Sequence, residues 1–375
     1  MNRKLKIVVV VGARPQFIKA AAVSRAIAEH NKKSPDCEIV EKIVHTGQHY
    51  DDNMSKIFFD ELEISRPDCN LGVGSGPHGE QTGKMLERIE AVLMKEKPDF
   101  CLVYGDTNST LAGALASAKL HIPVAHIEAG LRSFNHRMPE EINRVVADHL
   151  SSLLFCPTET AVRNLTEEGI SEGVYKTGDV MYDCVLFYSK KAKANEQKML
   201  KRLNIRPKSY YLATVHRAEN TDDDGRLVNI IEALSEIATL NCPVILPLHP
   251  RTLACINKRG LRFANNVKVI EPVSYLEMLA LENNARMILT DSGGIQKEAY
   301  FLGVPCVTIR DETEWVETVE SGWNTLVGAN KHNIINGVSH TNKLQAVSPE
   351  LIYGNGDAAD QICKIIQQSF FRVNS

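Results

Sequence analysis

The side chains best able to do chemistry in this 375-residue chain stand where apolar runs end. Thr290 to Glu298, Thr-Asp-Ser-Gly-Gly-Ile-Gln-Lys-Glu, follows Met287-Ile288-Leu289. A strand, a turn nearly bare of side chains and a helix-compatible run leave backbone N–H groups free to meet an anion, the geometry of a phosphate cradle. Ser292 can cap that helix and donate its hydroxyl. Gly293 and Gly294 let a diphosphate approach the backbone, and Glu298, about one turn on, can accept from a sugar hydroxyl. A connector that binds nothing carries the same pattern. Acids recur at other strand ends. Asp106 follows the run Phe100 to Tyr104, where a helix N-cap is the plain explanation. Glu128 directly follows Val124 to Ile127, and an unpaired carboxylate is costly there unless it is used. Beyond it a loop dense in charge reaches Pro139, Glu140, Glu141, Asn143 and Arg144; a proline followed by acids also suits a helix start for structural reasons alone.

The elements that must position these groups alternate strand and helix. Leu5 to Val11 is a β-branched run, and a helical pattern with Phe17, Ile18 and Ala20 to Ala22 begins after Gly12-Ala13-Arg14-Pro15. Arg14 and Lys19 flank that turn and can meet phosphate or sugar. The run Glu38 to Val44 ends in His45-Thr46-Gly47-Gln48-His49, a recognition cluster or a hydrogen-bonded loop at the carboxyl end of a strand. Residues 66–70 read as loop. Gly74, Gly76 and Gly79 imitate a dinucleotide fingerprint with Pro77 inside it, and Gly79 to Lys84 imitates a phosphate loop one residue too short; both are rejected. A helix over 80–96, the strand Leu153 to Cys156 and the segment Gly178-Asp179-Val180 complete the first half. The second half repeats the alternation. Its strands are Tyr210 to Thr214, Val244 to Pro247, Val267 to Ile270, Met287 to Thr290 and Cys306 to Ile309, with helices over 225–239, 274–283 and 294–302. Strand ends again carry chemistry: Val215-His216-Arg217-Ala218-Glu219-Asn220 after one and Leu248-His249-Pro250-Arg251 after another. Asp357 is expected to cap a last amphipathic helix through Ile366.

Bulk properties bound these readings. At roughly 100 to 200 residues per domain, the length predicts two. The expected architecture is α/β: two doubly wound, Rossmann-like domains, residues 1–185 and 186–355, with a C-terminal helix over 356–375. Net charge is −3 with 24% charged residues, so no global field points to nucleic acid or membrane, and any anion must be held locally. The apolar runs are short or broken, which predicts a cytoplasmic protein with no transmembrane span or signal peptide. The 9 cysteines are scattered, without a C-x-x-C pair, which predicts buried thiols rather than disulfides or a metal centre.

Taken in order, G-A-R-P, H-T-G-Q-H, G-D-T, H-I-E-A-G-L-R, P-E-E-I-N-R, V-H-R-A-E-N, T-D-S-G-G-I-Q-K-E and T-E-W-V-E resemble the non-hydrolysing UDP-N-acetylglucosamine 2-epimerase family over essentially the whole chain. The resemblance implies the two-domain fold shared with many nucleotide-sugar glycosyltransferases, a last helix crossing back to the first domain, and a homodimer. It places Ser292, Gly293 and Gly294 on the diphosphate, Glu298 on the ribose and uracil near Pro272-Val273. Arg14 and Lys19 would reach diphosphate or sugar, with Gln48, His49, Arg144 and Arg310 among the other substrate contacts. His216 would stand beside the departing phosphate, and Asp106, Glu128 and Glu140 match the catalytic carboxylates.

The chemistry itself demands such groups. No carbonyl acidifies C2 of an N-acetylhexosamine, so direct deprotonation is implausible. Departure of UDP from C1 makes an oxocarbenium-like centre that acidifies the C2 proton; loss of both gives a glycal, to which both return with the proton on the other face. Two faces need more than one positioned acid or base, and UDP must be stabilised and retained. No redox cofactor or metal is required. Gln16 stands where the bacterial UDP-N-acetylglucosamine enzymes usually have Glu, and no clear Arg-Gln pair for a second, activating nucleotide sugar occurs around Gly72 to Gly83. With Thr313-Glu314-Trp315-Val316-Glu317, these departures resemble the branch acting on UDP-2,3-diacetamido-2,3-dideoxyglucuronate, in surface polysaccharide synthesis. A neutral Gln16 would ease repulsion of a uronic carboxylate lying near it. A glycosyltransferase of the same fold, a hydrolysing epimerase and a non-catalytic sensor are the rival readings.

Overall fold

The computed structural model describes residues 4–34, 37–47, 61–340 and 349–373. The chain divides into two compact units, Met1–Cys184 with Glu350–Ser375, and Val185–Pro349.

The first unit is built on a parallel sheet of order β3-β2-β1-β4-β5-β6-β7. Its strands are β1 (Leu5–Val11), β2 (Ile39–His45), β3 (Cys69–Asn70), β4 (Phe100–Tyr104), β5 (Val124–Ile127), β6 (Leu153–Cys156) and β7 (Val174–Lys176). The central strands are continuous apolar runs because helices cover both of their faces: Val8, Val9, Val10, Leu102 and Val103 are fully buried. One face packs Val8, Val10 and Val103 against Met85, Ile89 and Leu93 of the helix His78–Glu96 and Ala112 and Ala116 of the helix Asn108–Lys119. The chain builds outward from β1 through β2 and β3, then returns to place β4 on the other side of β1. Strand order therefore reverses between β1 and β4, and open α/β sheets bind ligands in the crevice beyond such a reversal. Gly12 to Arg14 leave β1 there and Gly105-Asp106 leave β4.

The second unit has a parallel sheet of order β10-β9-β8-β11-β12-β13. Its strands are β8 (Tyr211–Thr214), β9 (Val244–Pro247), β10 (Val267–Ile270), β11 (Met287–Thr290), β12 (Cys306–Thr308) and β13 (Asn324–Leu326). The same reversal falls between β8 and β11, whose exits carry His216 and Ser292. Leu246, Leu289 and Val307 bury one face of the sheet against Ile230 and Leu234 of the helix Asp224–Ile237 and Ile334 and Val338 of the helix Lys331–His340.

Several local expectations need correction. Residues 69–70, read as loop, form the edge strand β3, and β7 precedes the Gly178-Asp179-Val180 segment, from which the helix Val180–Leu203 starts. The rejected glycine motifs lie in a loop and in the helix from His78, where Lys84 pairs with Glu80 at 2.6 Å. The last helix, Ala358–Val373, packs on the helix Arg14–Lys33. Asp357 does not cap it. Asp183 Oδ2 accepts from Ala359 N at 2.8 Å and Oδ1 from Ala358 N at 3.3 Å, while Asp357 Oδ1 accepts from Gln361 Nε2 at 3.0 Å. All nine cysteines are free thiols, and only Cys69 and Cys255 are less than fully buried. Among the described residues no helix is long and apolar enough to cross a membrane.

Candidate active site

At the reversal point of the first unit, Asp106 is the second residue beyond β4. The cap of the following helix is Thr107, whose Oγ1 accepts from Thr110 N at 3.4 Å, so the N-cap explanation for Asp106 falls. Its carboxylate instead accepts from Arg144 Nη2 at 2.5 Å and stays partly open to solvent. Arg144 is 2% exposed and also donates to Glu141 Oε2 at 2.8 Å, so it works as a strut beneath Asp106. Glu141 is fully buried, and it further accepts from Ser133 N, Ser133 Oγ and Phe134 N, each at 2.9 Å. It folds the loop back onto the helix Pro139–Leu150. Its neighbour Glu140 is only half-buried in the same first turn. The two adjacent acids thus divide the work: Glu141 builds and Glu140 faces outward.

Glu128 leaves β5 with φ +67°, in the left-handed region that a non-glycine residue holds only under constraint. It is 5% exposed and ion-paired with Lys19, which reaches it from the helix Arg14–Lys33. Lys19, expected on diphosphate or sugar, is therefore a partner of Glu128. A buried carboxylate needs such a cation. Gly105 lets the pair sit against the turn that carries Asp106: a Cβ there would lie 3.2 Å from Glu128 Oε2 and 3.7 Å from Lys19 Nζ. A buried network holds this floor from behind. His126 on β5 contacts Asp148 Oδ1 and the Gly105 carbonyl, both at 2.7 Å, so both ring nitrogens face acceptors. Asp148 also accepts from Arg132 Nη1 at 2.7 Å and Gly130 N at 3.1 Å. Burial alone would raise the Asp148 carboxyl, but His126 and Arg132 outweigh it and hold it below its ordinary range.

Arg14 is exposed at the start of its helix. Gln16 is 2% exposed and fully engaged. Its Oε1 accepts from Gly12 N at 2.8 Å and Ala13 N at 3.1 Å; its Nε2 donates to the Tyr104 carbonyl at 2.7 Å and Thr110 Oγ1 at 3.0 Å. The amide ties the turn after β1 to the end of β4. Its neutrality serves that tie, because a carboxylate could not donate to the Tyr104 carbonyl, so the expected role in sparing a uronic carboxylate loses its geometric basis. Gln48 and His49 lie outside the described residues.

In the second unit the organising group is Asp291, fully buried between β11 and the turn after β8. Its carboxylate accepts from His216 N (3.1 Å), Arg217 N (3.0 Å) and Asn220 Nδ2 (3.2 Å), and meets His216 Nδ1 at 3.2 Å. Burial raises this carboxyl, but the His216 ring, the Arg217 amide and Asn220 prevail and keep it below its ordinary value. The result presents the His216 ring at the surface, 52% exposed and oriented. Ser292 caps the helix Gly293–Phe301, its Oγ accepting from Ile295 N at 3.5 Å, and Gly293 and Gly294 form the bare first turn. Glu298 is 4% exposed one turn along, beside Glu282 of the helix Tyr275–Asn284. Burial first, then the neighbouring Glu298, pushes the Glu282 carboxyl well up. Val273 is half-buried and Pro272 exposed in the loop after β10. Arg310 is 2% exposed, donates to Glu314 Oε2 at 2.9 Å and borders a cavity of about 510 Å³ with Asp311, Gly328 and His340.

The structure brings Asp106, Arg144 and Glu141 into one set and Lys19, Glu128 and Gly105 into another at adjacent strand ends. Sequence reasoning did not find Asp291, Glu141 or the His126–Asp148 pair as builders of the site. The signal for two of them was the spacing 141, 144 and 148, one buried face of a helix.

Comparison with known proteins agrees with this architecture. Residues 30–367 match the UDP-N-acetylglucosamine 2-epimerase family. A UDP-N-acetylglucosamine 2-epimerase homolog of Methanococcus maripaludis is 55% identical over 97% of this chain and 99% of its own. The UDP-2,3-diacetamido-2,3-dideoxy-D-glucuronate 2-epimerase of Pseudomonas aeruginosa is 51% identical over 96% and 99%. The crystal structure of Methanocaldococcus jannaschii UDP-GlcNAc 2-epimerase in complex with UDP-GlcNAc and UDP superposes with TM-score 0.87 at 47% identity, covering 98% of this chain and 100% of that one. With the motif residues seated at the reversal points of two parallel sheets, the chain belongs to the UDP-N-acetylglucosamine 2-epimerase family and is an isomerase.

Proposed function

We propose that this enzyme inverts C2 of a UDP-2-acetamido sugar by eliminating UDP to a glycal and adding it back. The observation that supports this most is the pair of carboxylates at neighbouring strand ends, Asp106 and Glu128, each held by its own cation, Arg144 and Lys19. Proton removal and return on opposite faces of C2 need two differently placed acid–base groups. Glu140, in the first turn of the next helix, is the third. A glycosyltransferase has no use for acids on both faces. In the second unit Ser292, Gly293 and Gly294 take the diphosphate at the helix start, Glu298 the ribose, Val273 the uracil edge, and His216 the phosphate as it departs. The protein acts as a homodimer.

The sugar is N-acetylglucosamine or its 2,3-diacetamido uronic analogue. The uronate reading draws on the 51% identity to the Pseudomonas aeruginosa enzyme and on Thr313 to Glu317, and no longer on Gln16. Incubation with each UDP-sugar in heavy water tests both readings. Deuterium at C2 with UDP still attached is expected from one of them, and no incorporation from either sinks the proposal. Release of free sugar would mark a hydrolysing enzyme instead.

A further inference from the structure

One helix, Pro139–Leu150, grips Asp106 at two points. Arg144 holds the carboxylate, and the residue before it, Asn143, donates through Nδ2 to the Asp106 main-chain carbonyl at 2.9 Å. Asn143 is 5% exposed, and Nδ2 also donates to Asn108 Oδ1 at 3.2 Å. The direction of these bonds follows from groups that can only accept. The Asp106 carbonyl is one. The Gly74 carbonyl is another, and Gln81 Nε2 donates to it at 2.8 Å. Gln81 Oε1 therefore faces Asn108, whose Nδ2 donates to it at 2.9 Å. That turns Asn108 Oδ1 toward Asn143 as an acceptor. The other Asn108 hydrogen points at His78 Nδ1, 3.1 Å away, which accepts. Asn143, Asn108 and Gln81 are all more than nine-tenths buried, and their three amides have one consistent orientation. One peptide earlier, His126 Nε2 pins the Gly105 carbonyl at 2.7 Å. Both peptides that flank Asp106 are thus fixed.

We propose that Asn143 is a positioning residue for the reaction at C2: it holds the Asp106 peptide while Arg144 holds the carboxylate, with Asn108 and Gln81 fixing the direction in which Asn143 donates. This rests on the reading of Asp106 as an acid–base group. A carboxylate on a single ion pair can still swing as its peptide rotates; a second hold on the carbonyl removes that freedom. Acid–base groups must stay within roughly 0.5 Å of the productive geometry, which one hold on a turn residue does not secure.

The test measures kcat and KM for C2 deuterium exchange with UDP-N-acetylglucosamine and with its 2,3-diacetamido uronic analogue. Asn143→Leu keeps the size of the side chain and removes its donors; Gln81→Met removes only the far anchor of the amide chain and covers a folding failure of the first. Each is made in the parent and in Asp106→Asn. In the parent, Asn143→Leu should lower kcat about 10²-fold and Gln81→Met about tenfold, with KM and UDP affinity within about twofold. In Asp106→Asn no proton transfer by residue 106 is left to position, and either change should cost less than about twofold more. A purely structural role costs the same factor in both backgrounds and overturns the proposal, as does parent-like kcat in both variants or a loss carried by KM. Hydrogen exchange of the ligand-free enzyme reads the clamp without chemistry. Amides in 107–111 should exchange faster in Asn143→Leu, and unchanged protection overturns the clamp. The two readings fail separately: Asp106→Asn with parent turnover refutes the acid–base role of Asp106 even where 107–111 loosen, and an inactive Asp106→Asn beside a fully active Asn143→Leu refutes the positioning role alone. Where neither sugar exchanges, the substrate reading fails and hydrogen exchange alone decides the clamp.

Discussion

Single residues in this enzyme separate into those that touch substrate in the proposed reaction and those that hold them. Asp106→Asn tests the first class. The amide oxygen still accepts from Arg144, so the side chain keeps its place and loses only its capacity for proton transfer. Turnover should fall about 10²- to 10⁴-fold, while UDP affinity by calorimetry stays at the parent value; a weakened UDP affinity of similar size would move Asp106 from catalysis to binding. The neighbouring acids Glu140 and Glu141 give a sharper contrast. Glu141→Gln would set an amide N–H against donors that now share four hydrogen bonds, and should cost about 2–4 kcal/mol in urea denaturation. Glu140→Gln should change stability by about 0.5 kcal/mol or less yet abolish C2 exchange. Composition and helix-start preference alone do not separate these two. Both follow Pro139 in a first helical turn that favours acids at either position, and only the place of residue 141 on the same face as Arg144 and Asp148 distinguishes them. Gln16 teaches the reverse lesson: its substitution was visible in the sequence, but its reason lay in the Tyr104 carbonyl, a backbone group that no motif records.

Elements were legible in proportion to how much apolar surface they bury. The interior strands β1 from Ile7 on, β4, and β11 up to Leu289 are apolar runs and stand where the sequence puts them. The edge strands β3 and β7 have two and three residues with half-exposed positions, too little patterning to tell them from loop. Turn chemistry was legible when local, as at Ser292, and illegible when the partner is distant. The cap of the helix Ala358–Val373 is the clearest case, because Asp183 supplies it from 176 residues away. Asp183→Ala should therefore cost about 1–2 kcal/mol and speed hydrogen exchange in the first turn of that helix, whereas Asp357→Ala should leave those amides protected. Exchange rates in 358–361 that respond to Asp357 and not to Asp183 would reverse the assignment. The same logic places Asp291 above Ser292 as the organiser of its turn. Ser292 caps one helix, while Asp291 fixes the backbone of His216 and Arg217 in another segment.

At the scale of the whole molecule, both units hold carboxyl groups whose protons favour the folded state, and pH should act on the two alike. In the first unit burial pushes Glu41 up to about 7, helped by Asp68 and opposed by Ser24. Burial likewise brings Asp183 up to about 7 against its two backbone N–H bonds. In the second unit Glu282 is pushed well up by burial and Glu298. Each group keeps a proton in the folded chain that the unfolded chain releases near pH 4 to 4.5. Their stabilisation is full below that range and is lost as pH rises toward the folded value, by up to about 1.4 kcal/mol per pH unit per group. Asp148 and Asp291, held low, act oppositely, but their contribution is lost only as pH falls below the ordinary aspartate range and does not offset the decline at higher pH. The chain's two tryptophans, Trp315 and Trp323, both lie in the second unit, so their fluorescence follows that unit alone while far-ultraviolet circular dichroism follows both. The urea midpoint by fluorescence should fall between pH 5 and 8 and flatten in Glu282→Gln, whose amide can still donate to Glu298. The dichroism transition of the first unit should flatten in Glu41→Gln, which keeps the acceptor for Ser24. A fluorescence midpoint that responds to Glu41→Gln would show that the two units unfold as one cooperative body, and one that ignores Glu282→Gln would show that the Glu282–Glu298 pair does not hold its proton.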